Sequence, residues 1–445
     1  MEPARPLTLL PATALVVASM VGTGVFTTTG FMLADLHSPL LALSIWVVAG
    51  LLALAGAAVY AELGAMMPRV GGEYVYLSRA FHPAVGFLSG WISLLVGFAA
   101  PTAAASLAFG RYLQTLVPSV PVKAAALVLV AATTLLHLRD VRRGGATQAV
   151  LTGLVLALIV AFIVAAVASG RADWGRLLGV GVGVGFDGGA GGAASRPGVG
   201  PVAVSLVYVA YSYFGWNAAA YVAGEIRDPD RTLPRALVGG TVTVTVLYVA
   251  LNAVFMAAAP VSALAGKVEI AHVAASALLG AKGGVVISAL VALALAGSVS
   301  ALAMTGPRVV QAMAEDGQFF RVLGRTGPRG APTAAVLLQG MLAAVGIVTA
   351  AFEPLLIYAG FTLTLSSAAT VAGAFVLRRR EPTTSRPHRA LGWPVSGLAY
   401  LALAAFMTLF AVRERPIESL AGLATLLTGG LAWLLWQRRK RPSAP

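Results

Sequence analysis

Two stretches of this sequence set glycine and polar groups inside otherwise apolar runs, and these are the places where chemistry can happen. The first reads Val16-Val17-Ala18-Ser19-Met20-Val21-Gly22-Thr23-Gly24-Val25-Phe26, and the second Tyr208-Val209-Ala210-Tyr211-Ser212-Tyr213-Phe214-Gly215-Trp216-Asn217. Each glycine costs a helix about 1 kcal/mol relative to alanine, so both stretches are expected to interrupt one. An interrupted helix leaves amide N–H and C=O groups without partners, which a membrane tolerates only around a polar ligand or a water-filled cavity. The half-helix beginning near Thr23 would aim the positive end of its dipole into that space and suit a carboxylate. The half-helix before it offers carbonyls, which suit an ammonium. A zwitterionic α-amino acid carries both groups. Recognition of this kind needs no covalent step. Close packing is the alternative explanation of Gly22 and Gly24, since small residues often sit between membrane helices.

The elements that must position these stretches follow from composition. The 445-residue chain is 58% hydrophobic and 11% charged, with mean hydropathy +0.85. A soluble globule carries about 25% charged residues, so these charges are too few to cover a water-facing surface. The abundance of aliphatic residues also excludes a disordered chain. With no cysteine there is no disulfide framework, thiolate metal site, cysteine nucleophile or disulfide-linked heavy subunit. The expectation is an all-α polytopic membrane protein.

Apolar runs of about 20 residues predict spans at roughly 8–35, 39–67, 84–112, 122–138, 146–169, 200–224, 236–259, 283–307, 332–351, 354–377, 394–412 and 417–437. The first runs too long for a cleaved signal peptide. With twelve spans and both termini cytoplasmic, 22 of the 31 Lys and Arg residues fall on the cytoplasmic side, as the positive-inside rule requires. The same sorting explains the net charge of +14. The basic residues are scattered through short loops rather than gathered on one face, which argues against nucleic acid. The tail Arg438-Arg439-Lys440-Arg441 follows a span and would lie among lipid headgroups of the cell membrane. Five spans separate the starts of the two interrupted segments. Matched interruptions in two halves point to a secondary transporter built from inverted repeats. The expected division is a transport core over 1–377, with repeats at about 8–169 and 200–377, then a loop, two further helices and the tail over 378–445.

The run Tyr60-Ala61-Glu62-Leu63-Gly64 through Pro68-Arg69-Val70-Gly71-Gly72-Glu73-Tyr74-Val75-Tyr76-Leu77 resembles the loop after span two in amino acid permeases. It is similar to the L-amino-acid and cationic-amino-acid transporter branches of the amino acid–polyamine–organocation superfamily. Three more stretches agree, in the family's order: Gly215-Trp216-Asn217 with Glu225-Ile226-Arg227-Asp228-Pro229 and Leu233-Pro234-Arg235; Gly306-Pro307-Arg308 with Ala312 through Gly317; and Arg386-Pro387 with Gly392-Trp393-Pro394. The resemblance implies a LeuT-like fold, two inverted five-helix repeats followed by two helices. It also implies that amides of Thr23 and Gly24 hold the substrate carboxylate and that carbonyls of Met20, Tyr211 and Phe214 hold its amine. Val21, Gly22 and Gly215 complete the broken stretches, Asn217 matches a polar side chain near the substrate, and Tyr211 stands where the family has an aromatic outer gate.

Two departures qualify the resemblance. Several members carry a lysine in span five that is associated with proton coupling, and the matching position here is Val155. Phe214 replaces a glycine found in relatives that accept bulky side chains, which points to small or medium substrates. No acid falls in the middle third of a predicted span, so a neutral amino acid is the expected substrate. Glu62 and Glu225, near helix ends, are expected to pair with arginines such as Arg69 or Arg227 rather than relay protons. Ser298, Ser300 and Thr305 could approach a second cation site, although such hydroxyls more often bond to their own helix. Thr362, Thr364, Ser366 and Ser367 could line the path or pack against neighbours. The run Gly183-Val184-Gly185-Phe186-Asp187-Gly188 fits a dinucleotide pattern only literally, without a βαβ context, and reads better as part of a flexible loop. No metal-ligand spacing, cofactor motif or catalytic cluster is visible. Exchange, proton coupling and sodium coupling stay open, as do a cationic amino acid or polyamine substrate and, in a different class, a channel.

Overall fold

The computed structural model describes residues 7–139, 144–178, 198–327 and 332–440. The helices in chain order are α1 (Leu9–Met20), α2 (Thr28–Leu36), α3 (Pro39–Met66), α4 (Glu73–Ala80), α5 (Pro83–Ile92), α6 (Ala100–Leu116), α7 (Val122–Arg139), α8 (Gly144–Ala168) and α9 (Val199–Tyr213). There follow α10 (Ala218–Tyr221), α11 (Pro229–Ala258), α12 (Val261–Leu264), α13 (Ile270–Glu315), α14 (Thr333–Thr349), α15 (Phe352–Arg380), α16 (Val395–Glu414) and α17 (Pro416–Lys440). A π-helical turn, Ser93–Ala99, joins α5 to α6 without a break. Among the described residues seven helical stretches are long and apolar enough to cross a membrane, and five shorter apolar helices accompany them. Each of the twelve predicted spans overlaps one of these segments. Leucines such as Leu420, Leu427 and Leu431 stand exposed along α17, an arrangement that suits lipid and not water.

Local signals explain the helix boundaries. The Ser38 hydroxyl caps α3 by accepting the Leu41 N–H, with Pro39 in the first turn, and α3 stops just before Pro68. His82 caps α5 in the same way, ahead of Pro83. Arg378, Arg379 and Arg380 occupy the last turn of α15, where cations complement the helix dipole. The long run of α13 is two helices joined at Gly280, whose φ of +79° no helix accommodates. Its second part continues past Pro307 to Glu315, eight residues beyond the predicted end of span eight. The loop after span two also contains a helix, α4, that hydropathy alone does not reveal. The glycine-rich stretch with the literal dinucleotide pattern lies outside the described residues.

Packing sorts the helices into groups. One comprises α1, α3, α9 and α11, with α11 lying along both α3 and α1. A second comprises α6, α7, α13 and α14, with α13 along α6 and α14 along α7. The α15 helix touches both groups, meeting α9 on one side and α6 on the other. The two interrupted segments therefore belong to the first group, and the second of them is held against α15 through α9.

Candidate functional site

Both interruptions are real breaks. The Val21 N–H makes the last bond of the first half-helix, to the Val17 carbonyl at 2.9 Å, and the backbone then turns out of helical geometry. A short 3-10 turn covers Gly24–Phe26 before α2 begins at Thr28. Among the described residues, the N–H groups of Thr23 and Gly24 have no backbone acceptor. In the second break α9 ends at Tyr213, Phe214 is extended, Gly215 has φ of +109°, and helical geometry resumes at Ala218.

The breaks cross each other through their glycines. A Cβ on Gly24 would lie 2.3 Å from Ser212 Oγ and 2.5 Å from Ser212 Cα. A Cβ on Gly215 would lie 2.3 Å from the Ser19 carbonyl oxygen and 2.9 Å from the Met20 nitrogen. Each broken chain thus passes over the other at a point where only glycine fits. Thr28 and Ser212 bring their hydroxyls within 3.2 Å at the same crossing. Close packing accordingly explains Gly24, but it does not explain Gly22, whose Cβ would meet only the Met20 carbonyl oxygen, at 3.9 Å.

Aromatic and polar side chains brace the crossing. Tyr248 donates to the Met20 carbonyl at 2.6 Å, and its ring packs with those of Trp46 and Tyr213. Asn217 is buried and donates from Nδ2 to Glu73 Oε1 at 3.0 Å. Phe214 is half-buried and lines a narrow cavity with Ala53, Trp216, Thr364 and Tyr400. On the other flank, α8 meets Phe26 through Leu158, Ile159 and Phe162, an apolar face, and Val155 is buried in the core.

Further contacts tie the helices together away from the crossing. Phe31 stacks between Tyr208 and Phe352, and Tyr208 donates to Glu353, which also pairs with Arg415 at 2.7 Å. Leu7 donates to the Glu225 carbonyl and accepts from Arg227 N–H. Near the end of α3 the buried Glu62 takes Arg378, Arg386 and the Ala390 N–H.

The sequence profile of the amino acid permease family matches residues 7–430. The chain belongs to that family. Human large neutral amino acids transporter small subunit 2 is 31% identical to this permease over 98% of the chain and 82% of that protein. The mouse b(0,+)-type amino acid transporter 1 is 28% identical over 85% of the chain and 77% of that protein. The human cystine/glutamate transporter is 27% identical over 98% and 87%.

Of the residues that sequence reasoning placed at the permease's site, Met20 through Gly24, Tyr211, Phe214, Gly215 and Asn217 all lie at or next to the crossing. Tyr211 packs its Cβ against Gly360 of α15 and stacks on no other ring among the described residues. Ser298, Ser300 and Thr305 do not converge: Ser298 and Thr305 bond back to their own helix, and Ser300 meets His137 of α7. Of the α15 hydroxyls, Ser366 reaches Glu73 and Ser367 receives Tyr400, whereas Thr362 and Thr364 bond to their own backbone. Glu62 pairs with arginines as expected, but with Arg378 and Arg386 and not with Arg69 or Arg227. Sequence reasoning quoted Glu73 within a family motif and gave it no role. That carboxyl is only 4% exposed, an acid buried near the crossing although it lies outside every predicted span. It follows a Gly-Gly pair in a loop, where neither hydropathy nor helical spacing singles it out.

Gly22 offers a mild test of the site. Its φ lies outside the left-handed region and its Cβ would find space, so Gly22→Ala is expected to fold. The added methyl stands beside the free Thr23 and Gly24 amides and is expected to raise the KM for uptake by about tenfold. An unchanged KM would remove Gly22 from the substrate path.

Proposed function

We propose that this permease moves neutral L-amino acids of small or medium size across the cell membrane by alternating access. The observation that carries the proposal is the reciprocal crossing, with two N–H groups free of backbone acceptors inside it. The Thr23 and Gly24 amides bind the substrate carboxylate. Carbonyls of Met20, Tyr211 and Phe214 bind its ammonium; those of Met20 and Tyr211 already accept one bond each, from Tyr248 and from the Phe214 N–H, and a carbonyl has two lone pairs. Asn217 and Phe214 border the side chain, and Tyr211 closes the outer side. The lining is apolar, amide or hydroxyl. Glu73 is the exception, and four donors already occupy its oxygens. A cationic side chain is therefore poorly served.

The helix grouping supports two repeats over about 8–169 and 200–377. Spans one and two pack with six and seven, and spans three and four with eight and nine, so equivalent positions associate. Rocking the first group against the second alternates access around the crossing. The distribution of Lys and Arg orients the molecule with the Leu7, Glu62 and Arg378 end in the cytoplasm, together with both termini. The Tyr208–Glu353–Arg415 cluster then closes the outer end. Transport proceeds as exchange or proton symport, with no cofactor and no covalent intermediate.

The test is uptake into proteoliposomes from a panel of radiolabelled neutral, acidic and basic amino acids. Each is run with and without internal substrate, a proton gradient and a sodium gradient. Saturable uptake of neutral members, accelerated by internal amino acid, is the expected result. Preference for lysine or arginine would overturn the neutral assignment, and non-saturable flux would point to a channel.

A further inference from the structure

Glu73 opens α4 and lies outside the apolar spans, yet it is buried at the junction of several helices. Its Oε1 accepts from the Tyr60 hydroxyl at 2.7 Å and from Asn217 Nδ2 at 3.0 Å. Its Oε2 accepts from the Ser366 hydroxyl at 2.7 Å and from the Ser89 hydroxyl at 3.4 Å. These partners come from α3, the second break, α15 and α5, and all four are neutral. Among the described residues no lysine, arginine or histidine bonds to Glu73. The titratable groups facing it are tyrosines: Tyr60 of α3, Tyr76 of α4, Tyr221 of α10 and Tyr400 of α16. The other charged groups of α3 and α4 are engaged elsewhere, Arg79 of α4 with Glu381 and Glu62 of α3 with its arginines.

A buried carboxylate without a cation is costly, and hydrogen bonds from neutral donors offset that cost only in part. Burial pushes the Glu73 carboxyl above the ordinary glutamate range, while the bonds from Tyr60, Ser366, Asn217 and Ser89 draw it back.

We propose that Glu73 is a proton-binding site of the transport cycle, linked to the substrate through Asn217. The proton comes from water and ends on Oε2. Asn217 Nδ2 can only donate, which keeps Oε1 an acceptor, whereas the Ser366 and Ser89 hydroxyls around Oε2 can rotate and accept. Ionised Glu73 holds the second break to α3, α5 and α15 through four charge-assisted bonds. The neutral acid holds them by ordinary bonds about half as strong, and the break gains freedom to move. A substrate that engages Asn217 is thereby coupled to the proton, and the coupling is reciprocal.

The proposal rests on the crossing being the substrate site, so its test has two readouts. In the first, amino acid affinity of purified wild type and Glu73→Gln is followed over a pH series that starts in the ordinary glutamate range and rises from there. Wild-type affinity is expected to vary, approaching tenfold per pH unit within the titration. The Glu73→Gln profile is expected to be flat, because glutamine mimics the neutral acid. Identical profiles would overturn the proposal. The second readout is the infrared band of a protonated carboxyl in the substrate-free protein, expected to titrate in wild type, vanish in Glu73→Gln and persist to higher pH in Ser366→Ala. A band that Glu73→Gln leaves intact would also overturn it. Should no amino acid bind at any pH, the substrate site is refuted and the infrared titration still decides the proton site. If Glu73→Gln does not fold, the Ser366→Ala shift decides it, and a band unmoved by that change overturns the proposal.

Discussion

Gly24→Val is expected to abolish amino acid uptake while the protein still inserts in the membrane. The structure places the Ser212 Cα 2.5 Å from any Cβ at this position. Because that contact is with backbone, no rotamer relieves it; α9 must move away and the two breaks must separate. Displacing recognition groups by about 1 Å costs on the order of 100-fold in rate when they must act together. Transport should fall by at least that factor. Trimming Ser212 to glycine removes Oγ and Cβ but leaves Cα in place, so the double variant should stay inactive. Wild-type uptake rates in monodisperse Gly24→Val would remove the crossing from the mechanism.

A second large effect is expected at Glu62, this time on stability. Its carboxylate is 2% exposed and takes the guanidinium of Arg378, that of Arg386 and the backbone N–H of Ala390. Arg378 in turn lies over the Trp393 ring, 4.2 Å from its centroid. One acid thus joins α3, the end of α15 and the segment leading to α16. Glu62→Gln leaves two arginines facing a neutral group in a buried setting, and breaking such a pair costs about 3–5 kcal/mol. Thermal unfolding of the detergent-solubilised protein should show the loss directly. Arg79→Ala is the control, because the Arg79–Glu381 pair is surface-exposed and such pairs contribute about 0–1 kcal/mol. Equal destabilisation by the two changes would refute the assignment.

Much of the fold was legible in the chain. Long apolar runs broken by arginine predict span number and position because lipid leaves no other way to satisfy backbone groups. Gly22, Gly24 and Gly215 announced the breaks, since glycine weakens a helix wherever it stands. Family motifs then pointed to the candidate site residues, and these lie at or next to one crossing. The α15 hydroxyls were less legible: Ser366 donates to Glu73 and Ser367 accepts from Tyr400 while donating to its own helix, whereas Thr362 and Thr364 bond only to their own backbone.

What the sequence determined by itself was the solvent, the number of spans and the two places where helix fails. Each is a property of a local window, set by transfer free energy and backbone conformational preference. Only the tertiary structure decided which groups meet. Glu62 finds Arg378 at a separation of 316 residues, Glu73 finds Ser366 across 293, and Gly24 lies under Ser212. Such contacts arise from the way helices pack, and no local pattern encodes them. Hence the buried acid beside the crossing was invisible along the chain and plain once the chain was folded.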